Sequence, residues 1–377
     1  MDFDFSEEQY SFRDSVRGFL KDWRVSIGPV SARPSDSIAA QFWSDLTDLG
    51  TFSALMPEEY GGLGLTFVDL SLVLEEFGRE LVPPLVIETL VATDLIARYG
   101  SKQQKSTLLP QVAAGRLKIS GALAEAGAGY DPTDISTSVV RIKQRDQLSG
   151  MKILVPDASA ADYLLVAAQF DGDRGPALIL LEPGRIGIEL REQQTLDLTS
   201  AYHAVTFNKV TMNGSDILGE TPCGGDVRRL MDASAVSAAT FMTGIAGKVM
   251  DTSVEYVKQR NQFGKPIGSF QAIKHKCADM AVGVDSCRSA AYYAAWALVG
   301  ETPDQAKAVS IAKSFCGDMS RFVCNEGIQL HGGMGFTWDV VLHYYLRRAK
   351  LLEYSFGDAS YHRKRVIAEA LRELAAH

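Results

Sequence analysis

Apolar residues recur at alternating steps of three and four from Phe270 through Ile273, Cys277, Met280, Val284, Cys287, Ala291 and Ala294 to Leu298, a spacing that places them on one face of an α-helix. A stripe sustained over about four heptads has to lie against other helices along its length. Flanking Tyr292, Tyr293 and Trp296 widen the apolar face beyond a coiled-coil seam, so a helix bundle is expected rather than a free coiled coil. Downstream, Thr302-Pro303-Asp304-Gln305 reads as an N-cap, a Pro at the first helical position and a capping-box Gln, opening a helix to about Leu330. A last helix is expected from near Trp338 almost to His377, which gives a C-terminal four-helix bundle over residues 226–377.

Upstream, Ser6-Glu7-Glu8-Gln9 forms a capping box, and Phe12, Val16, Phe19 and Leu20 follow at helical spacing. Further helices are expected over Ile38 to Leu49 and over Thr66 to Gly78, the latter with Phe67, Leu70, Leu74 and Phe77 on one side. These make an N-terminal helical domain, residues 1–117, closing near Gln111 to Gly115. The glycines of Pro57-Glu58-Glu59-Tyr60-Gly61-Gly62-Leu63-Gly64 have neither the spacing nor the preceding strand of a dinucleotide fingerprint. From about Lys118 short strands take over. Ile135 to Ile142, Ile153 to Val155, Tyr163 to Ala167, Ala177 to Leu181 and Ala204 to Phe207 are punctuated by Asp171-Gly172-Asp173, Glu182-Pro183-Gly184 and Asn213-Gly214. Residues 118–225 therefore read as a middle β domain, expected to be a small barrel, and the whole chain as an α+β fold.

At 377 residues the chain exceeds one ordinary core and should form two or three domains. No apolar run approaches the ~20 residues needed to cross a bilayer. The acidic opening Met1-Asp2-Phe3-Asp4-Phe5-Ser6-Glu7-Glu8 lacks the order of an export signal, so a cytoplasmic location is expected. A net charge of -8 without a Lys/Arg block argues against nucleic-acid binding. Cys223, Cys277, Cys287, Cys316 and Cys324 contain no C-x-x-C pair and no histidine at ligand spacing, so core thiols are expected rather than a metal site or a disulfide framework.

The turn preceding the long stripe, Arg260-Asn261-Gln262-Phe263-Gly264-Lys265-Pro266-Ile267-Gly268-Ser269-Phe270-Gln271, gathers a guanidinium, carboxamides and aromatic rings within twelve residues. Gly264, Pro266 and Gly268 stop one helix and start another, so donors of Arg260 and Gln271 can converge on an anion such as a diphosphate. An ordinary helix-loop-helix corner is the alternative.

That turn resembles the Arg-x-Gln-Phe-Gly-x-Pro-Ile-x-x-Phe-Gln signature of the acyl-CoA dehydrogenase family, and Gln329-Leu330-His331-Gly332-Gly333-Met334-Gly335-Phe336-Thr337 resembles its second marker. The likeness runs from Phe5 to the C-terminal helix. It implies helices, then β, then a four-helix bundle, with FAD as cofactor and an acyl-CoA thioester as substrate. Arg260, Gln262, Phe263, Gln271, Gln329, Gly332 and Gly333 would contact FAD, largely that seated in a neighbouring subunit. The family reaction removes an α-proton while hydride leaves the β-carbon for the flavin, so a carboxylate base is needed.

Three departures from the family pattern bear on that chemistry. The Glu expected after the stretch Arg347-Arg348-Ala349-Lys350 is Phe356, and the alternative position used by a minority of the family is Ser234. Asp358, two positions on, is the remaining candidate base, with Glu353 three positions back. Third, Ala122 to Asp131 and Met151 to Asp157 resemble the flavin-facing segments, yet Ala124 stands for the usual Thr, Tyr130 for a small Ser, and Leu154 and Pro156 for the Trp-Ile-Thr surface. The pattern resembles the smaller, base-lacking subunit of heteromeric bacterial acyl-CoA dehydrogenases, such as those acting on steroid side chains or dicarboxylic acids, in α2β2 assemblies. A homo-oligomeric flavoenzyme with a relocated base and a flavin-free scaffold subunit are the alternatives, and the resemblance admits an electron-transfer flavoprotein as electron acceptor.

Overall fold

The computed structural model describes residues 5–27, 33–142 and 145–375. Met1 to Asp4 of the acidic opening, and His377 at the end of the expected last helix, lie outside the described residues.

Five helices come first: α1 (Glu7–Ile27), α2 (Asp36–Asp48), α3 (Phe67–Arg79), α4 (Pro84–Tyr99) and α5 (Lys102–Ala113). Reciprocal side-chain-to-backbone bonds start three of them. Gln9 N donates to Ser6 Oγ while Ser6 N donates to Gln9 Oε1, and the pairs Thr66/Asp69 and Ser101/Gln104 repeat the arrangement. Pro84 at the first position starts α4 instead. This helix shows no stripe because it is buried nearly all round, from Leu85 and Val86 to Leu95 and Ile96.

A seven-stranded sheet follows: β1 (Ile119–Ala122), β2 (Ser138–Ile142), β3 (Arg145–Pro156), β4 (Tyr163–Phe170), β5 (Gly175–Leu181), β6 (Ile188–Gln193) and β7 (Tyr202–Met212). Strand β4 is central, antiparallel to β5 and parallel to both β1 and β2; β3, β7 and β6 continue outward in antiparallel register. The expected closed barrel is not seen: among the described residues the hydrogen-bonded path ends at β5 on one side and β6 on the other. Strand β2 also starts later than the pattern Ile135 to Ile142 suggests. The N–H groups of Ser136 and Thr137 donate to the Glu125 carboxylate instead of joining the ladder.

The rest is helical: α6 (Gly224–Gln259), a two-stranded hairpin β8 (Asn261–Gln262) and β9 (Lys265–Pro266), α7 (Gln271–Gly300), α8 (Gln305–His331), α9 (Leu342–Tyr354) and α10 (Ala359–Ala375). The α7 stripe is buried from Met280 to Leu298, and its first turns, around Ile273 and Cys277, are half-buried. Helix α8 starts later than expected: Thr302 caps nothing, its hydroxyl donating to Asp304 Oδ1 before the first helical residue, Gln305. The single last helix is in fact two. Phe356 (φ 58°) and Gly357 (φ 105°) take left-handed conformations, and buried Lys313 holds the turn by donating from Nζ to Glu353 O (3.1 Å) and Gly357 O (2.8 Å). His362 Nε2 lies 3.0 Å from Phe356 O. Of the cysteines, Cys287, Cys316 and Cys324 are buried, but Cys277 is half-buried and Cys223 is exposed; all five are free thiols.

One core joins both helical blocks: Val16, Leu46, Phe67 and Phe77 pack in the same cluster as Val236, Met242, Cys287 and Val323. Helices α3 and α6 cross at a pair of glycines. A Cβ on Gly78 would lie 2.0 Å from Phe241 O, and one on Gly244 would lie 1.9 Å from Glu75 O, so only glycine admits this approach. The alternate face of the sheet closes over a second, smaller core around Leu164, Val166, Ile179 and Val205. Sheet and helices are riveted by the buried ion pair of Arg348 with Asp197. Arg348 also donates to Thr199 Oγ1 (2.6 Å) and Val82 O (3.2 Å).

Candidate active-site cavity and nucleotide-contact segments

A cavity of about 260 Å³ opens between α4, the turn after β1, strand β3, the first half of α6 and the α9–α10 junction. Its wall is mainly hydrocarbon, from Ile87, Val91, Leu123, Ile153 and Leu154 on one side to Met231, Phe241, Leu352 and Phe356 on the other. Phe356 thus faces the space where the resemblance expects a carboxylate. Ser234, at the alternative position, also lines the cavity, as does Ser237 one turn on. Both hydroxyls are buried and neither has a hydrogen-bond partner among the described residues.

Neither carboxylate considered from the sequence reaches this wall. Asp358 caps α10, accepting from Tyr361 N at 2.8 Å, and Glu353 pairs with Arg321 (3.1 Å) and Lys350 (2.8 Å). Three other carboxylates do line the cavity. Asp131 is held by Thr133 and by Arg228 at 3.2 Å. Burial works to raise the Glu125 carboxyl, but bonds from Lys152 (2.6 Å), Ser136 and Thr137 outweigh it and hold it down to about 2. Burial likewise pulls the Lys152 ammonium below its ordinary value. Glu88 pairs with no cation among the described residues. Burial pushes its carboxyl up to about 7, opposed only by a backbone bond from Gly121. Sequence reasoning passed over it, although a single acid inside Leu85-Val86-Ile87-Glu88-Thr89-Leu90 is the kind of signal that marks a buried carboxyl.

The wall that corresponds to the family's flavin-facing surface has few groups to offer. Leu154 (φ 54°) already donates its N–H to Gln193 Oε1 at 2.8 Å, and Ala124 O accepts from Ile153 N at 2.8 Å. Tyr130 spans the gap to the α9–α10 junction, its hydroxyl donating to Tyr354 O at 3.1 Å and its ring packing on Tyr361.

The signature turn lies elsewhere. Residues 261–266 form the small hairpin, turned by Phe263 (φ 53°) and Gly264 (φ 80°), and Phe263 is 91% exposed. Arg260, Gln262 and Gln271 are exposed and their side chains make no hydrogen bond or ion pair among the described residues; the same holds for Gln329. Gly332 and Gly333 follow the last turn of α8 with open space where a side chain would be. A ring stack at 4.1 Å between Tyr256, one turn before Arg260, and His331 brings the two segments together. Phe241, on the cavity wall, and Arg260 are nineteen residues apart along α6, about 28 Å at the helical rise per residue. The cavity therefore lies on the first half of α6 and the signature turn beyond the end of its second half. Among the described residues no group of three or more His, Cys, Asp or Glu is placed to hold a metal ion, and no helix is long and apolar enough to cross a membrane.

The family models for the acyl-CoA dehydrogenase N-terminal and C-terminal domains match residues 6–116 and 226–371, and the chain belongs to the acyl-CoA dehydrogenase family, whose members are FAD-dependent and act on the CH–CH bond of acyl-CoA. It is 29% identical to the probable acyl-CoA dehydrogenase YngJ of Bacillus subtilis (strain 168), over 99% of this chain and all of that protein. Butyryl-CoA dehydrogenase from Megasphaera elsdenii superposes with a TM-score of 0.88 at 26% identity, covering 98% of this chain and all of that one. The ChsE4–ChsE5 complex from Mycobacterium tuberculosis contains a chain that superposes with a TM-score of 0.87 at 25% identity, covering 98% of this chain and 99% of that one.

The residues present fit FAD unequally. The exposed side-chain donors of Arg260, Gln262, Gln271 and Gln329 suit a diphosphate and its ribityl chain, because each has hydrogen bonds left to give, and the open space at Gly332 and Gly333 lets a ligand come close to the backbone. The cavity wall of Ala124, Leu154 and Pro156 does not suit an isoalloxazine ring.

Proposed function

We propose that this chain is the subunit of an acyl-CoA dehydrogenase that completes the FAD site of a partner polypeptide, the partner supplying the catalytic base. The observation that carries this reading is the separation along α6: about 28 Å divides Arg260 from this chain's own cavity, which favours a nucleotide held by another chain as the partner of the turn's free donors. Bound FAD supplies the position that accepts hydride from the substrate β-carbon. The residues here contribute binding. Arg260 neutralises diphosphate charge, Gln262, Gln271 and Gln329 donate hydrogen bonds, Phe263 covers an apolar edge, and Gly332 and Gly333 allow close approach of the backbone.

Phe356 supports the same division of labour, since a phenyl ring cannot take the α-proton, and Asp358 is committed to capping α10. The likeness to a chain of the ChsE4–ChsE5 complex adds weight, because that is a complex of two proteins. On this reading the assembly is cytoplasmic, of α2β2 composition, and passes its electrons to an acceptor such as an electron-transfer flavoprotein.

Co-expression with an adjacent acyl-CoA dehydrogenase-like gene, followed by native mass spectrometry and flavin counting, tests the proposal. An α2β2 complex with one FAD per heterodimer is expected, and the chain purified alone should not dehydrogenate saturated acyl-CoA. A homotetramer with one FAD per chain, or turnover by the isolated chain that disappears in Asp358→Asn, refutes it and makes this a self-sufficient enzyme.

A further inference from the structure

The cavity's polar groups have no role in completing a partner's FAD site, and their arrangement has its own logic. Ser234 and Ser237 are each 2% exposed, lie one turn apart on α6, line the cavity, and leave both hydroxyls without a partner. A buried unpaired hydroxyl is unfavourable, and proteins seldom keep two on one wall unless something else completes their bonds. Glu88, 9% exposed on α4, brings a carboxyl to the same space. Much of the remaining wall is hydrocarbon, which favours an apolar body on whatever completes these bonds.

We propose that this cavity is a non-redox binding site for a mainly hydrocarbon ligand carrying a neutral hydroxyl, which Ser234, Ser237 and Glu88 recognise by hydrogen bonding. A hydroxyl both donates and accepts, and so do serine hydroxyls and a protonated carboxyl. An anionic head is disfavoured because Glu88, Glu125 and Asp131 all line the space, while the cation on its wall, Arg348, is committed to Asp197, Thr199 and Val82 O. An ammonium finds no unpaired carboxylate, since Glu125 and Asp131 are held by Lys152 and Arg228 and burial opposes ionising Glu88. The proposal rests on the FAD-completing reading, under which this chain's own cavity carries out no redox step, although it uses residues on the first half of α6 rather than the turn beyond its end.

Titration calorimetry on the full chain in its purified assembly can compare four probes of equal chain length: 1-octanol, 1-fluorooctane, octylamine and octanoate. The alcohol should bind more tightly than its fluoro isostere by roughly 10-fold or more, as expected for one or two buried hydrogen bonds. Replacing Ser234→Ala and Ser237→Ala together in this chain should abolish that preference while the fluoro compound binds as before. Both substitutions remove only hydroxyls without partners, so the fold is expected to survive, and an unchanged melting temperature verifies it. No binding of the alcohol, equal affinity for alcohol and fluoro compound, or a preference that persists in the double variant overturns the proposal. Tighter binding of octylamine or of octanoate overturns it too, by making the site one for a cation or an anion.

Discussion

Replacing Arg260→Ala separates a cofactor-binding turn from a structural corner. The Arg260 guanidinium is exposed and pairs with nothing among the described residues, so its removal deletes no bond within the chain. Surface substitutions of this kind change stability by about 0.5 kcal/mol or less. If the guanidinium holds a diphosphate, the variant loses a charge-assisted interaction of ~1.5–3 kcal/mol, which is roughly 10- to 100-fold in flavin affinity. FAD titrated into the deflavinated complex, followed by fluorescence quenching, measures that factor, and a melting curve of the same preparation measures the fold. Lys258→Ala is the control for a general loss of positive charge: Lys258 sits two residues earlier, is exposed, and pairs only with Glu255 at 2.7 Å. Unchanged flavin affinity in Arg260→Ala, an equal loss in Lys258→Ala, or a drop in melting temperature with affinity preserved would each sink the assignment and leave the turn structural.

Two further outcomes concern the cavity's surroundings. Because the Glu125 carboxyl lies at about 2 in the folded chain against an ordinary 4.5, its contribution of about 3 kcal/mol is fully present above pH 4.5 and is lost as pH falls towards 2. Acid unfolding of Glu125→Gln should show that much less dependence on pH across this window, and parallel curves for the two proteins would contradict the pairing. Lys313→Met strips the donors from Glu353 O and Gly357 O and is expected to destabilise the fold by about 2–4 kcal/mol, read from urea unfolding. Equal midpoints would mean that the α9–α10 turn holds itself.

Where local chemistry decides structure, the sequence was readable. The Ser6/Gln9 box starts α1 and the stripe from Met280 to Leu298 is buried in α7. Where partners distant in the chain decide, it was not. Nothing in Ser355-Phe356-Gly357-Asp358 announces a helix break strongly enough, because the break is held by Lys313 and His362 from other helices. Helix α4 has no polar side from which to infer a period. The same blind spot hid Glu88. Its importance lies in sharing a cavity with Ser234 and Ser237, almost 150 residues downstream, a closeness that only the fold creates. Departures such as Phe356 and Leu154 were plain in the sequence, but that Asp358 serves as a cap, and that half the length of α6 separates the turn at Arg260 from the cavity, required coordinates.

The glycine crossing of Gly78 against Gly244 also sets a timetable for synthesis. Helix α3 rests its backbone on a helix whose codons lie more than 160 positions further along the message. At ordinary rates of translation that is an interval on the order of 10–30 s. Throughout it, Phe67, Leu70, Leu74 and Phe77 have no finished surface to settle on. The opening helices of this protein are made to wait, and a cell that produces it must shield them from one another until the bundle that receives them has left the ribosome.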